Sequence, residues 1–201
     1  MPPLSEAAQR ALLRLARSTL EEQIGRKTAA PVEPILTALD QRAGAFVTLR
    51  NGELLRGCVG RAESSAPLFI TVRECALCAA RRDSRFRPVE PEELTGLSIE
   101  ISVLSPIESA RADEIEIGRH GLVVSRGIRT GLLLPQVPVT WKWDRARFLE
   151  ETCLKAGLPP DAWKKGARIR VFTAQVFGER DSLSVLPEPA SAEIFPSWKT
   201  V

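Results

Sequence analysis

Ala45-Phe46-Val47-Thr48-Leu49-Arg50-Asn51-Gly52-Glu53-Leu54-Leu55-Arg56-Gly57-Cys58-Val59-Gly60 reads as two strands folded back on a turn. Ala45 to Leu49 and Leu54 to Val59 supply the strands. Asn51-Gly52 between them suits the positive φ angles of a two-residue hairpin loop. A period of two puts Arg56 and Cys58 on one face of the return strand, and Gly57 and Gly60 remove side-chain cover beside them. A guanidinium next to a thiol favours the thiolate, drawing its pKa below the ordinary value of about 8.5. The thiolate is the form that attacks electrophiles or binds metals. The plainer reading of the same residue is a small hydrophobe in a core.

Outward from the hairpin, Pro67 at a first helical position opens an apolar segment from Leu68 through Ala80 that ends among Arg81, Arg82 and Asp83. Upstream, Ser5 caps a helix with Glu6 at its positive end and an apolar stripe through Ala8, Leu12, Leu15, Ala16 and Leu20. Gly25 to Pro34 reads as a surface loop. Downstream, Ile99, Ile101 and Val103 alternate with Ser98, Glu100 and Ser102, the pattern of a strand with one buried and one accessible face. Ile115 and Ile117 continue that theme. His120-Gly121 is a turn, and Leu122-Val123-Val124 and Leu132-Leu133-Leu134 are short strands. Asp144 caps a helix that Gly157 ends, and a final strand runs from Arg168 towards Phe177. Helices segregated from hairpins indicate an α+β fold with a largely antiparallel sheet, as one domain over residues 5–180 or as two small lobes, followed by an extended tail over 181–201.

With 201 residues, 44% hydrophobic and 26% charged, the chain can bury a sizeable core and is not globally disordered. A net charge of +3 neither demands a nucleic acid nor excludes one. No run approaches the roughly 20 apolar residues that span a bilayer, and Met1-Pro2-Pro3-Leu4-Ser5-Glu6 lacks the apolar run of a signal peptide, so no membrane association and a cytoplasmic location are expected. The four cysteines, at 58, 75, 78 and 153, are irregularly spaced and read as reduced thiols.

A series of ordered blocks resembles the AMME chromosomal region gene 1 family. They include Gly44 to Leu49, Leu55 to Gly60, Asp83-Ser84-Arg85-Phe86, Ile99 to Pro106, Ile117 to Leu122, Gly131 to Val139, Phe148 to Leu158, Ala162-Trp163 and Ala174 to Phe177. The resemblance runs from about Ser5 to Arg180 and implies a mixed fold without a securely assigned reaction. Bacterial and archaeal members resemble protein A of a system that also holds a Memo-type protein and a radical S-adenosylmethionine enzyme, so the resemblance implies those two partners. Ser84 stands where the family commonly has proline. Trp141-Lys142 replaces a segment that often carries acidic residues or glycine.

His120 is the single histidine, so imidazole chemistry has to use it, and Cys58 with His120 forms a candidate nucleophile and base pair. Arg56 would stabilise the thiolate or an anionic substrate, and the main chain from Gly57 to Gly60 would offer close-approach amides. Gln136, between prolines, is a candidate ligand-binding amide. Arg81, Arg82, Arg85 and Arg87 with Phe86 interleaved could meet an anionic substrate or a nucleic acid, though Asp83 can instead pair with one of them and order the loop. Cys75-Ala76-Leu77-Cys78 has metal-site spacing but falls inside a helix, where packing is the better account. The glycines at 118, 121, 127 and 131 match no phosphate-loop or dinucleotide fingerprint, and no cofactor is expected. The leading reading is a Cys58-dependent modification step, and its rival is a non-enzymatic module holding a peptide or metabolite in the same groove.

Overall fold

The computed structural model describes residues 2–28, 30–37 and 41–179. In chain order the elements are α1 (Glu6–Gln23), α2 (Pro34–Thr37), β1 (Ala45–Asn51), β2 (Leu54–Arg61), α3 (Leu68–Arg81), β3 (Leu97–Leu104), β4 (Glu108–Ser109), β5 (Gly121–Arg126), β6 (Arg129–Leu133), α4 (Gln136–Thr140), α5 (Arg145–Lys155), β7 (Arg168–Phe172) and β8 (Ala174–Gly178). They form two antiparallel four-stranded sheets, ordered β2-β1-β3-β8 and β4-β7-β5-β6, which is the α+β class read from the sequence. The chain gathers into two units. One holds the residues through Leu104 together with 175–179, and the other holds Ser105–Ala174. The expected tail over 181–201 lies outside the described residues.

In the first unit, Ser5 accepts from the Ala8 N–H at 3.3 Å and starts α1, whose Ala8, Ala11, Leu12, Leu15, Ala16 and Leu20 are buried. The hairpin forms where expected, but its loop is shifted by one residue. Asn51 pairs with Leu54, so Gly52-Glu53 makes the turn, with Gly52 at φ 60°. A glycine at the first of two central positions, with an ordinary residue second, is the chemistry of a type II′ turn. Strand alternation sends Val47, Leu49, Ile99, Ile101 and Val103 into a core shared with α1 and α3. That core closes tightly, because a Cβ on Gly57 would stand 2.2 Å from the main-chain oxygen of Ala79 in α3.

In the second unit, Asp144 accepts from the Arg147 N–H at 2.8 Å to start α5, and Gly157 takes φ 67° just after its end. Phe148, Leu149 and Cys153 are buried, and a Cβ on Gly131 of β6 would meet the Ala156 nitrogen at 2.5 Å. Two expectations are corrected here. The segment from Arg168 towards Phe177 is two strands, not one: β7 joins the second unit's sheet, and after Thr173 β8 joins that of the first. Ile115 is buried but forms no strand, and Ile117 lies in a turn, 39% exposed.

Candidate functional site

Strand register builds a polar row across the first unit's sheet. Thr48 of β1 pairs with Cys58 of β2 on one side and with Glu100 of β3 on the other. One step along, Phe46 pairs with Gly60 and with Ser102. These residues alternate with Val47, Gly57, Ile99 and Ile101, so they occupy the face opposite α3. The Thr48 hydroxyl donates to Cys58 Sγ at 3.4 Å. Cys58, Phe46 and Glu100 are half-buried, whereas Thr48 and Ser102 are 7% and 2% exposed.

Cys58 lies on β2, the outer strand of its sheet, and its outward main-chain groups are held by side chains. The Cys58 N–H donates to Asp83 Oδ2 at 2.8 Å, and Arg85 Nη2 donates to the Cys58 carbonyl at 3.2 Å. Asp83 and Arg85 are themselves joined by bonds of 2.9 and 2.7 Å. The pair stands where a neighbouring strand would bond, and so closes the edge at Cys58. Burial pushes the Asp83 carboxyl up, but the Arg85 guanidinium and the N–H groups of Cys58 and Arg85 outweigh it and hold it below its usual value. This is the loop-ordering role expected for Asp83.

The thiolate expected from a cation at Arg56 is corrected. Arg56 sits at the register shift in the hairpin and grips Glu93 through Nε and Nη2 at 2.8 and 3.0 Å, with its remaining donors on the carbonyls of Arg87 and Pro88. Glu93 is drawn down to about 2 by that grip. Desolvation pushes the Cys58 thiol up, more than the Thr48 hydrogen bond and the charge of Arg85 bring it down. The glycines are corrected as well. The space beside Gly57 holds the Ala79 carbonyl, and that beside Gly60 holds the Phe46 ring, 2.3 Å from where a Cβ would stand. Both admit the chain itself.

His120 belongs to the second unit, Cys58 to the first. His120 Nδ1 accepts from the Glu116 N–H at 3.1 Å across a turn in which Gly118 takes φ 83°, so Nε2 is the ring atom left for outside partners. Gln136 opens α4 and its main-chain carbonyl accepts from the Thr140 hydroxyl at 3.1 Å. The adjoining Trp141 and Trp143 rings stack with centroids 6.1 Å apart, around Lys142 at φ 52°. In the arginine run, Arg81 donates to the Gln23 carbonyl, Arg85 to Asp83, and Arg87 lies 3.9 Å from Glu93. Cys75 is in the core, its Sγ 3.7 Å from the Ala45 carbonyl, and burial raises it to about 11.

Three members of the row went unmarked as site residues: Thr48, Glu100 and Ser102. Burial raises Glu100, with Arg50 pulling the other way, and no hydrogen bond or ion pair holds its carboxylate among the described residues. The Ser102 hydroxyl is likewise without a hydrogen-bond partner among the described residues. The alternation of Ser98, Glu100 and Ser102 was the available signal, since it put both on one strand face. Their meeting with Cys58 depends on pairing through β1.

The chain matches the AMMECR1 family model over residues 13–177. A Thermococcus kodakarensis protein is 44% identical over 181 residues, 84% of this chain and 88% of its own length. One from Methanothermobacter thermautotrophicus is 42% identical over 88% of this chain and 97% of its own. The crystal structure of an uncharacterized Pyrococcus horikoshii protein superposes with a TM-score of 0.78 at 42% identity, covering 84% of this chain and 90% of that one. Among the described residues no helix is long and apolar enough to cross a membrane.

Proposed function

Because the chain belongs to the AMMECR1 family, we propose that the Cys58 face of its first unit is a binding module that holds a substrate during a modification step shared with a Memo-type protein and a radical S-adenosylmethionine enzyme. The observation that carries this reading is the state of Cys58. Its thiol is raised by burial, and its main chain is fixed on both outward groups by Asp83 and Arg85. A neutral thiol in a rigid strand is suited to recognition, while a nucleophile needs the thiolate. The two partners rest on the family resemblance. The test is the alkylation rate of Cys58 against pH, followed peptide by peptide with Cys75, Cys78 and Cys153 as internal references. Slow labelling with a midpoint above about 8.5 supports the module, and fast labelling well below it overturns it.

A second reading keeps Cys58 as nucleophile. It is favoured by the Thr48 hydroxyl, which already donates to Sγ as a thiolate would require. In that case Cys58 labels fast with a midpoint well below about 8.5, the outcome that overturns the module.

A further inference from the structure

In the second unit's sheet the alternation of β7 separates apolar from cationic residues. Ile169 and Val171 pack with Leu122 and with Phe148 and Leu149 of α5, so Arg168 and Arg170 stand on the opposite face. Register extends that face towards β6. Arg170 pairs with Val123 of β5, and Val123 with Leu132 of β6. In the adjoining row Arg168 pairs with Ser125, and Ser125 with Thr130. On the other side Arg170 pairs with Ser109 of β4. No Asp or Glu stands at any of these positions, since Glu108 of β4 pairs with Val171 and shares the other face. Among the described residues neither guanidinium has a hydrogen bond or an ion pair, and the hydroxyls of Ser125 and Thr130 have no hydrogen-bond partner. The arginine run at 81–87 is the opposite case, because Arg81, Arg85 and Arg87 are answered by the Gln23 carbonyl, Asp83 and Glu93.

Arg170 is half-buried beside Val123, which is 2% exposed, and its Nε is buried with no hydrogen-bond partner. A guanidinium taken partly out of water without an acceptor costs free energy, and an anion on its Nη groups recovers part of that cost. Arg168, two residues along β7 and about 7 Å away, is exposed and adds a second like charge. We propose that this face binds a phosphoryl group, with its oxygens on Arg170 and Arg168 and the Ser125 hydroxyl donating to it from the next strand. A phosphoryl group brings three strong acceptor oxygens and close to two charges, which answers both guanidiniums and the hydroxyl. A carboxylate brings two oxygens and one charge and leaves one arginine unanswered. Thr130 and Leu132 continue the two rows on β6, about 10 Å from β7, and supply a polar and an apolar neighbour for the rest of an organic phosphate. Every residue of the site belongs to the second unit, so the inference is independent of the Cys58 reading.

The phosphoryl group could belong to an organic monoester or to free phosphate, and the test separates the two. The full chain, labelled with nitrogen-15, is titrated at pH 7.5 and constant ionic strength with phenyl phosphate, with inorganic phosphate and with benzoate while main-chain amide shifts are followed. The expected result is saturable movement of the Ser125, Arg168 and Arg170 amides with both phosphates, with benzoate at least about tenfold weaker. Arg170→Gln weakens phosphate binding about tenfold and Arg168→Gln about threefold. Arg168 is exposed, so its variant gives a reading even where Arg170→Gln fails to fold. Arg10→Gln removes an exposed arginine of α1 and leaves the affinity unchanged. Tighter binding of phenyl phosphate assigns the site to an organic monoester, and equal or tighter binding of inorganic phosphate assigns it to free phosphate. Benzoate as tight as the phosphates, the same weakening in all three arginine variants, or no saturable movement at those three amides up to about 20 mM overturns the proposal. None of these results bears on the alkylation of Cys58, so the inference can fail while the module reading stands.

Discussion

The two faces of the first unit's sheet are made from the same strands and behave as different materials. Val47, Ile99 and Ile101 point towards the helices and are at most 1% exposed, in a core closed by α1 and α3. Thr48, Glu100 and Ser102, one residue along in each case, point the other way and carry polar atoms that the chain only partly satisfies. The closed face has spent its interactions on folding. The polar one leaves Glu100 and Ser102 without a hydrogen-bond partner among the described residues, and unspent polar groups are what binding uses. Neighbouring residues on β3 give the sharpest contrast. Ile101→Ala should cost about 2–5 kcal/mol in urea denaturation, as a deleted core side chain does. Ser102→Ala, its immediate neighbour, should cost under about 1 kcal/mol, because it deletes a hydroxyl that bonds to nothing. A comparable loss in both would erase the distinction.

Gly57 tests the contrast where the two faces meet on β2. Gly57→Ala points its methyl at α3, 2.2 Å from the Ala79 oxygen, so strand or helix has to move. Overpacking of this kind costs about 1–3 kcal/mol. Hydrogen exchange should quicken along both α3 and β2 in this variant, and protection unchanged in α3 would mean the helix does not lean on the strand.

The third effect is acid sensitivity through the brace beneath the hairpin. Glu93 falls from 4.5 to about 2 in the folded chain because Arg56 and the Glu90 N–H bind its carboxylate. A carboxyl lowered by folding is protonated first in the unfolded chain. Its stabilisation is therefore complete above pH 4.5 and is lost as pH falls from there to about 2. Thermal midpoints of the wild type should drop across that window, and Glu93→Gln should flatten the drop. An unchanged slope would show that Arg56 holds the loop through the carbonyls of Arg87 and Pro88 alone.

What the sequence made legible is what local chemistry decides. The Ser5 and Asp144 caps, the hairpin and the alternation on β3 each depend on residues a few positions apart, and each formed, the hairpin with its loop one residue later than Asn51-Gly52. Cys58 was legible as a marked residue but not in its state. That state is set first by burial, against the Thr48 hydroxyl and the charge of Arg85, while Asp83 and Arg85, some 25 residues away, hold its main chain. Arg56 looked like its cation because the two are close in sequence, yet the guanidinium found Glu93 instead. The break at Thr173 was hidden because Arg168 to Phe177 alternates without a turn signal, and two sheets claim its halves. The row itself needed the register of three strands, information that no single segment holds.

The smallest effect is the most informative about the polar face. Burial raises Glu100 more than the charge of Arg50 lowers it, and no hydrogen bond or ion pair holds its carboxylate among the described residues. A carboxyl raised by folding resists ionisation in the folded chain more than in the unfolded one. The wild type therefore loses stability from this group as pH climbs above the ordinary value of 4.5 and through the raised one. Glu100→Gln keeps the shape and cannot ionise. It should match the wild type in thermal midpoint near pH 4.5 and exceed it slightly at pH 8, with the gap opening between. A variant less stable at pH 8 would mean that the carboxylate is held by a donor, and Glu100 would then belong with the closed face. If the gap opens as expected, the chain retains at this position a charge that weakens its fold, and a binding role accounts for keeping it.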